Sequence, residues 1–200
     1  MEENPVEKRK KIELRFAHLA PEIWEGLSSV LRTGWVMRKV ENPESVQQHT
    51  IALRNLATEL SEHLSDFSDE DKQDLIDMLE IHDWSEALDG DEVIYTYDEA
   101  ERKTKKELKF AREKQTMEKI CENLGEDGKK IMALWMRFES SDDQVAALAR
   151  QLDKYQAIEQ AMIYEQAQGI LLFKEFYDYS AKEVSHPQLL ERLGRMKTRD

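Results

Sequence analysis

The sequence contains little of what several protein classes require. A single cysteine, Cys121, permits no intrachain disulfide, so a disulfide-stabilised secreted scaffold is excluded. No apolar run approaches the length of a membrane span, and the first ten residues lack the apolar core of a signal peptide. These absences predict a cytoplasmic protein without a membrane segment.

Positive charge is also scarce, since 29 lysines and arginines stand against 42 aspartates and glutamates, a formal net charge of −13. Binding DNA or RNA along its length requires a basic face that releases counterions, so this charge argues against a nucleic acid polymer as partner. A single nucleotide stays compatible with it, because a metal ion and a few local cations can offset one phosphate group.

The abundant residues are those typical of helices. Charged residues make up 36% of the chain, glycine and proline number only 7 and 4, and no alternating strand pattern occurs. Two hundred residues suit one domain with a sizeable core. We therefore predict a single all-α domain over residues 1–200, with covering helices over about 1–31, a central core over about 32–165 and closing helices over about 166–200.

The N-terminal part predicts a helix pair followed by a loop. Apolar residues at mostly three- and four-residue spacing from about 6 to 31 indicate a helical segment, which Pro21 divides into two helices. The segment 32–38, Arg-Thr-Gly-Trp-Val-Met-Arg, interrupts this pattern as a loop. Its arginines and Trp35 suit a phosphate and a base or sugar, whereas the alternative is a tryptophan packed over the core beside solvated arginines.

Capping residues predict where the following helices begin. Asn42, with Pro43 at the first helical position, indicates the start of a helix that carries His49 beside its buried face. Ser68 opens another helix in the manner of a capping box, and its apolar stripe leads to His82. Further helices are predicted over about 97–124, from about 131 to 140, after Asp142-Asp143, and over about 170–182 and 187–193.

The adjacent His82 and Asp83 lie at the end of a predicted buried helix, with Glu86 and Asp91 close behind. Neighbouring side chains on a helix point roughly 100° apart, so both reach one point only near the helix end. Imidazole and carboxylate together suit a divalent ion such as Mn, Fe, Co, Zn or Mg. Alone, the pair favours a capping histidine beside a solvated aspartate, so a site needs partners elsewhere in the chain.

Asp153 is such a partner, because it interrupts a stripe of small residues on its helix. An aspartate on a close-packing stripe must be paired, neutral or bound to a metal, since an unpaired buried charge costs several kcal/mol. Arg150 or Lys154 could pair with it, although both lie on other faces of the helix. Three helices could thus bring together an ordered set of four ligands: His49, His82, Asp83 and Asp153.

This ordered set resembles the HD-domain metal-dependent phosphohydrolases. From Arg32 onward the chain is similar to their small 5'-deoxynucleotidase branch, whose members remove phosphate from deoxyribonucleoside monophosphates. The matching segments are Arg32-Thr33-Gly34-Trp35, Pro43-Glu44-Ser45-Val46 ahead of His49, His82-Asp83-x-x-Glu86-Ala87-x-x-Gly90-Asp91, Leu152-Asp153-Lys154, Gln160-Ala161 with Tyr164-Glu165, and Phe176-Tyr177-Asp178 with His186-Pro187.

The resemblance implies an all-α HD-domain bundle, a divalent cation (Mn, Co, Mg, Fe or Zn), a nucleotide substrate and a homodimer. It also implies roles for individual side chains. The metal ligands would be His49, His82, Asp83 and Asp153, the catalytic carboxylates Glu86 and Asp91, and the substrate contacts Arg32, Trp35 and Lys154. By spacing, Glu86 lies one helical turn beyond the His-Asp pair, close enough to orient a water or protonate a leaving 5'-oxygen.

Four departures from the branch bear on its auxiliary groups. Acidic residues are usual where Gln48, Lys114, Gln115 and Gln156 stand, and a proline is usual soon after the Gly-Asp pair. A second metal and the substrate preference are therefore open. Two alternative functions follow: an HD hydrolase of another phosphorylated substrate, such as a nucleoside triphosphate, and a non-catalytic helical binding protein stabilised by a metal.

Overall fold

Ten α-helices account for most of residues 14–197, the part of the chain that the computed structural model describes. Within these residues there is no sheet, and a single isolated β-bridge joins Leu31 to Ser45. The predicted all-α class is thus confirmed. In chain order the helices are α1 (Pro21–Ser29), α2 (Thr33–Met37), α3 (Val46–Ser61), α4 (Asp69–Ile81), α5 (Glu86–Asp89), α6 (Glu99–Glu122), α7 (Gly125–Ser140), α8 (Gln144–Gln168), α9 (Phe173–Ser180) and α10 (Pro187–Lys197), with a 3-10 turn at Ala181–Glu183.

Helices α3, α4 and α8 pack against one another at the centre of the main hydrophobic core. Leu53, Leu79 and Leu152, one from each helix, are fully buried. Burial of such a side chain stabilises a fold by about 1.5–3 kcal/mol, so these contacts hold the three helices together. Polar side chains on the same helices are thereby held at defined positions.

None of the helices within residues 14–197 combines the length and the apolar character needed to cross a bilayer.

The start of α3 differs from its prediction. The helix begins at Val46 and not at Pro43, because Ser45 Oγ accepts from the Gln48 N–H while Gln48 Oε1 accepts from the Ser45 N–H at 2.8 Å. This reciprocal cap satisfies two backbone donors, which Asn42 does not do. Asn42 instead adopts a left-handed turn with φ 50°. As a result Glu44 precedes the helix and its side chain is buried.

The N-terminal expectations are met only in part. Residues 1–13 lie outside the described residues, and residues 14–20 form turns rather than a helix. Helix α1 begins at Pro21, where the break was predicted. The predicted loop over 32–38 is wrong in its centre, since α2 forms there with the Arg32 carbonyl accepting from the N–H groups of residues 35 and 36. Burial of Trp35 supports this short helix.

Later helices follow the sequence prediction more closely. Ser68 and Asp71 form the predicted capping box, and α4 ends with His82 as its C-cap residue. The long charged helix is confirmed as α6, and α7 begins earlier than predicted, at Gly125. Asp143 is the N-cap of α8, with its carboxylate accepting from two backbone N–H groups. Because α4 ends at Ile81, the His82-Asp83 pair lies directly after the C-terminal end of a buried helix.

Candidate metal centre

Three helices bring the predicted ligands to one place. His49 lies in the first turns of α3, His82 caps the end of α4, and Asp153 lies in the middle of α8. Asp83 follows in the turn between α4 and α5. This turn is anchored by fully buried Trp84 and by the indole N–H of Trp135, which donates to the His82 carbonyl at 3.1 Å. Packing thus fixes the backbone on which the pair stands.

His49, His82 and Asp83 form a compact group in which one ligand atom from each lies within 4.8 Å of the others. Asp83 Oδ2 lies 3.1 Å from His82 Nε2 and 3.8 Å from His49 Nε2. Asp153 Oδ1 lies 3.2 Å from His49 Nε2, while its other oxygen accepts from Lys154 at 2.9 Å. Asp153 therefore borders the group and is also ion-paired, as the sequence alternative proposed.

The two Nε2 atoms are the unusual feature of this group. Both are buried and make no hydrogen bond, although a carboxylate oxygen lies 3.1 Å from the His82 atom and another lies 3.2 Å from the His49 atom. The opposite ring nitrogens are engaged, His82 Nδ1 with the Leu79 carbonyl at 3.1 Å and His49 Nδ1 with Gln156 Oε1 at 2.8 Å. Buried polar atoms are normally satisfied. Two imidazole nitrogens that converge with a carboxylate fit a divalent cation.

The charges around the group favour ionised carboxylates. Burial alone would raise the pKa of Asp83, but His82, Arg32 and His49 outweigh it and hold that pKa well below its usual range. Burial likewise opposes Lys154 and His49 at Asp153, whose pKa is also held well below its usual value. For His82, burial lowers the pKa, yet the neighbouring carboxylates raise it overall. A proton and a cation therefore compete for the same nitrogen.

Glu86 stands at the start of α5 as a buried carboxylate, 3% exposed. Its Oε2 has no hydrogen-bond partner, and its Oε1 lies 3.7 Å from the ammonium of Lys109. Burial, with the negative charges of Asp83 and Asp91, raises the pKa of Glu86 well above its usual value. Glu86 therefore keeps its proton to a higher pH than an ordinary glutamate, which suits a general acid.

Asp91 is hydrogen-bonded to Thr33, the residue next to Arg32. Gly90 adopts φ 78°, a backbone conformation that favours glycine, and turns the chain after α5. Asp91 Oδ2 then accepts from the Thr33 N–H, and Thr33 Oγ1 donates to the Asp91 carbonyl at 2.6 Å. The adjacent Arg32 places its guanidinium 3.3 Å from Asp83 Oδ2. Asp91 thereby fixes the segment that carries Arg32.

Trp35 lies in a different environment from the one that the phosphate-and-sugar prediction describes. Its side chain is 2% exposed, stacks on Phe176 at 4.3 Å and meets Tyr164 edge-on at 5.2 Å. Its indole N–H donates to Glu44 Oε1 at 3.0 Å. This packing matches the alternative of a core tryptophan, and the predicted sugar contact stays a prediction.

Two charged residues on α6, Lys109 and Glu113, face this group although no sequence pattern singled them out. Lys109 lies 3.3 Å from Glu113 Oε1 as well as near Glu86, and burial raises the pKa of Glu113 to about 7. Glu113 thus supplies a carboxylate one residue before Lys114, a position where members of the branch carry an acidic residue. The four-residue spacing of Lys109 and Glu113 is that of an ordinary surface ion pair, so no sequence signal distinguished them.

Comparisons with known proteins agree with this geometry. The HD domain family model matches residues 24–190. The chain is 33% identical to 5'-deoxynucleotidase HDDC2 of Mus musculus, over 92% of this chain and 86% of that protein. It is also 33% identical to the protein of the same name from Dictyostelium discoideum, over 80% and 86%. A conserved hypothetical protein from Pyrococcus furiosus, 20% identical, shares the fold with a TM-score of 0.68 over 90% and 98% of the two chains.

Proposed function

Since the chain belongs to the HD-domain family, we propose that it is a divalent-metal-dependent phosphohydrolase that converts deoxyribonucleoside 5'-monophosphates into deoxynucleosides and phosphate. The observation that carries the proposal is the pair of buried, unpartnered Nε2 atoms that converge with Asp83. The proposed substrate class is supported by the 33% identity to a mouse 5'-deoxynucleotidase along nearly the whole chain. A nucleotide is therefore the small molecule to test first.

His49, His82 and Asp83 would hold the cation, with Asp153 as the proposed fourth ligand beside His49. When bound, a divalent cation of this kind polarises a phosphoryl oxygen and lowers the pKa of a water molecule. The donor set of two imidazoles and carboxylates accepts Mn, Co, Mg, Fe or Zn.

Arg32 is the proposed phosphate contact. Its guanidinium lies beside Asp83 with a fifth of the side chain exposed, so it borders the group from the solvent side. A planar guanidinium binds two oxygens of a phosphate at once and stabilises the charge that develops on them. Lys154, held against Asp153 and 35% exposed, is proposed to add a second positive charge.

Glu86 is the proposed general acid. Water forms the new P–O bond while the bond from phosphorus to the 5'-oxygen breaks, and the Glu86 carboxyl donates its proton to that departing oxygen. One proton of the water stays on the phosphate, and the other is released and restores the Glu86 carboxyl. The raised pKa of Glu86 supports this role, because burial and the charges of Asp83 and Asp91 let the carboxyl keep its proton to a higher pH than an ordinary glutamate. Asp91 is proposed to raise the pKa of Glu86 through its negative charge. It also fixes the segment that carries Arg32. Lys109 is proposed to limit the negative charge around Glu86.

The test is hydrolysis of a substrate panel by the purified protein with each of Mn, Co and Mg. The panel contains deoxyribonucleoside and ribonucleoside 5'-monophosphates and deoxynucleoside triphosphates. Release of inorganic phosphate from the deoxyribonucleoside monophosphates is expected. Release of pyrophosphate or triphosphate would instead establish the alternative HD hydrolase, and absence of turnover with every metal would favour a non-catalytic binding protein.

We further propose a single domain that forms a homodimer in the cytoplasm and binds no nucleic acid polymer. The single cysteine supports a reducing compartment, and the net charge of −13 opposes binding to a polyanion. The homodimer rests on the resemblance to the 5'-deoxynucleotidase branch. Light scattering of the purified protein should give twice the monomer mass of 23.5 kDa.

A further inference from the structure

His49 and His82 have their inner nitrogens engaged in different ways. At the end of α4, His82 Nδ1 lies 3.1 Å from the Leu79 carbonyl, which can only accept, so the backbone itself places a proton on Nδ1. His49 lies inside α3, where the neighbouring carbonyls serve the helix. Its Nδ1 instead meets a side chain, the amide of Gln156 at 2.8 Å. An amide offers either an oxygen or an NH₂ group, so Gln156 alone does not decide where the proton lies.

Glu44 resolves this ambiguity from the far side of the amide. Its Oε2 lies 3.4 Å from Gln156 Nε2, and its Oε1 accepts from the Trp35 indole at 3.0 Å. Its backbone N–H donates to the Tyr164 hydroxyl at 2.7 Å, which fixes its place. A carboxylate only accepts, so the Gln156 NH₂ must face Glu44 and the Gln156 oxygen must face His49. Reversing the amide would set two acceptors against each other in a buried space.

The hydrogen-bonded chain from Glu44 through Gln156 to His49, here called the relay, fixes which His49 nitrogen faces the metal group. With Gln156 Oε1 as acceptor, neutral His49 carries its proton on Nδ1 and presents a lone pair on Nε2. That Nε2 atom is the one that lies 3.2 Å from Asp153 and 3.8 Å from Asp83 without a hydrogen-bond partner. His49, Gln156 and Glu44 are at most 8% exposed, so water does not compete readily for these bonds.

We propose that Glu44 and Gln156 are positioning residues that hold the proton of neutral His49 on Nδ1 and so keep Nε2 available for a cation. The inference rests on the proposed function in one respect, namely that His49 is a metal ligand. Partners that orient a ligating histidine typically change metal affinity by about 10- to 100-fold when they are removed. With a carboxylate at position 44, the amide of Gln156 accepts from His49 and donates to Glu44, which a carboxylate at position 156 could not do.

Nitrogen-15 NMR of the metal-free protein tests the proton position directly, with His49→Gln used to assign the signal. When its ring is neutral, His49 should carry its proton on Nδ1. In Glu44→Gln the amide of Gln156 is free to reverse, so His49 should become a mixture of both forms. A proton on Nε2 in the wild type, or an unchanged signal in Glu44→Gln, would overturn the inference.

Metal affinity, measured by titration of the metal-free protein with Mn²⁺, gives the second measurement. Glu44→Gln and Gln156→Leu should each weaken binding by about 10- to 100-fold, whereas Gln166→Leu, an exposed glutamine of the same helix, should not change it. The double variant Glu44→Gln/Gln156→Glu exchanges amide and carboxylate and restores every donor–acceptor pair. It should recover affinity to within about threefold of wild type, a difference well under one pairing interaction.

Failure of the double variant to recover Mn²⁺ affinity, despite a wild-type circular dichroism spectrum, would overturn the relay. Neither measurement uses turnover. A protein that shows the expected proton position and affinities but hydrolyses no deoxyribonucleoside monophosphate would refute the proposed function and leave this inference standing.

Discussion

Helix α4 carries two buried polar clusters, and their hydrogen bonding differs. One cluster centres on Glu80, which is 0% exposed and accepts from the backbone N–H groups of residues 15, 16 and 17 at 2.9, 2.7 and 3.0 Å. Its charge is matched by Arg54 at 3.3 Å, and the neighbouring Asp77 binds Arg15 and Gln73. The other cluster, His82 with Asp83 and His49, lies at the end of the same helix and leaves two ring nitrogens without partners.

The difference separates structure from function. The Glu80 carboxylate accepts from three backbone N–H groups of the chain itself and thereby ties residues 15–17 to the core. The histidine cluster instead brings together a carboxylate and two ring nitrogens without hydrogen-bond partners, an arrangement that fits a cation. We therefore assign a structural role to the Glu80 cluster and propose a functional one for the histidine cluster. Five predictions, from the largest expected effect to the smallest, test this contrast and the assignments around it.

Asp153→Ala should reduce phosphate release to background and lower the bound metal content. The substitution removes the carboxylate nearest to His49 Nε2 and leaves Lys154 without its partner. Enzyme assay and elemental analysis of the purified variant measure both effects. Asp142→Ala, which removes an exposed aspartate just before α8, serves as control and should behave as wild type. Full metal content and rate in Asp153→Ala would remove this residue from the site.

Glu86→Gln should keep the metal and lower kcat by about 10²- to 10⁴-fold, the usual contribution of a general acid. The glutamine preserves the size of the side chain but has no acidic proton to donate. Steady-state kinetics together with metal content separate this effect from loss of the cation. Glu92→Gln, an exposed glutamate on the following loop, is the matched control. A kcat within twofold of wild type would contradict the assignment of Glu86.

Glu80→Gln should destabilise the protein by about 3–5 kcal/mol, as removal of one partner from a buried ion pair does. One of the two glutamine termini is an NH₂ group, which faces N–H donors and leaves them unsatisfied. Urea unfolding measures the loss, with Glu70→Gln on the exposed face of α4 as control. Folded Glu80→Gln protein should retain its metal. A marginal loss of stability would mean that the two clusters do not differ as described.

The pH dependence of stability gives a smaller effect. His82 has a pKa raised above its usual 6.5 in the folded protein, where burial is outweighed by the neighbouring carboxylates. It therefore stabilises the metal-free protein fully below about pH 6.5, and this stabilisation is lost as pH rises through the raised pKa. Thermal unfolding from about pH 6 to pH 9 should show the loss, and saturating Mn²⁺ should reduce it because the neutral ring is the ligand. His63→Gln, an exposed histidine, should leave the pH dependence unchanged.

Trp35→Phe adds a test of the position that the sequence assigned to the substrate. The ring can still stack on Phe176, but the hydrogen bond to Glu44 is lost, so stability should fall by about 1 kcal/mol. We expect KM for a deoxyribonucleoside monophosphate to change by less than about threefold, the small effect of one altered packing contact. A tenfold rise in KM without a loss of stability would support the predicted sugar contact instead.

Particular elements show how far the sequence led. The order of His49, His82, Asp83 and Asp153 was recognisable as a ligand set, and the structure brings the first three together. Helix α4 was predictable because Ser68 and Asp71 form a local cap. The start of α3 was not, since two local signals competed and the Ser45–Gln48 cap prevailed over Asn42 and Pro43.

By itself the sequence determined that this protein is helical and acidic, and it indicated a candidate histidine–aspartate ligand set, because helix propensity, charge and residue order are local properties. Only the tertiary structure decided that Glu44 turns inward to meet Gln156, that Lys109 faces Glu86, and that Glu80 is satisfied where His82 is not. Each of these depends on the distance between helices far apart in the chain. Packing sets such distances, and residue order does not encode them locally.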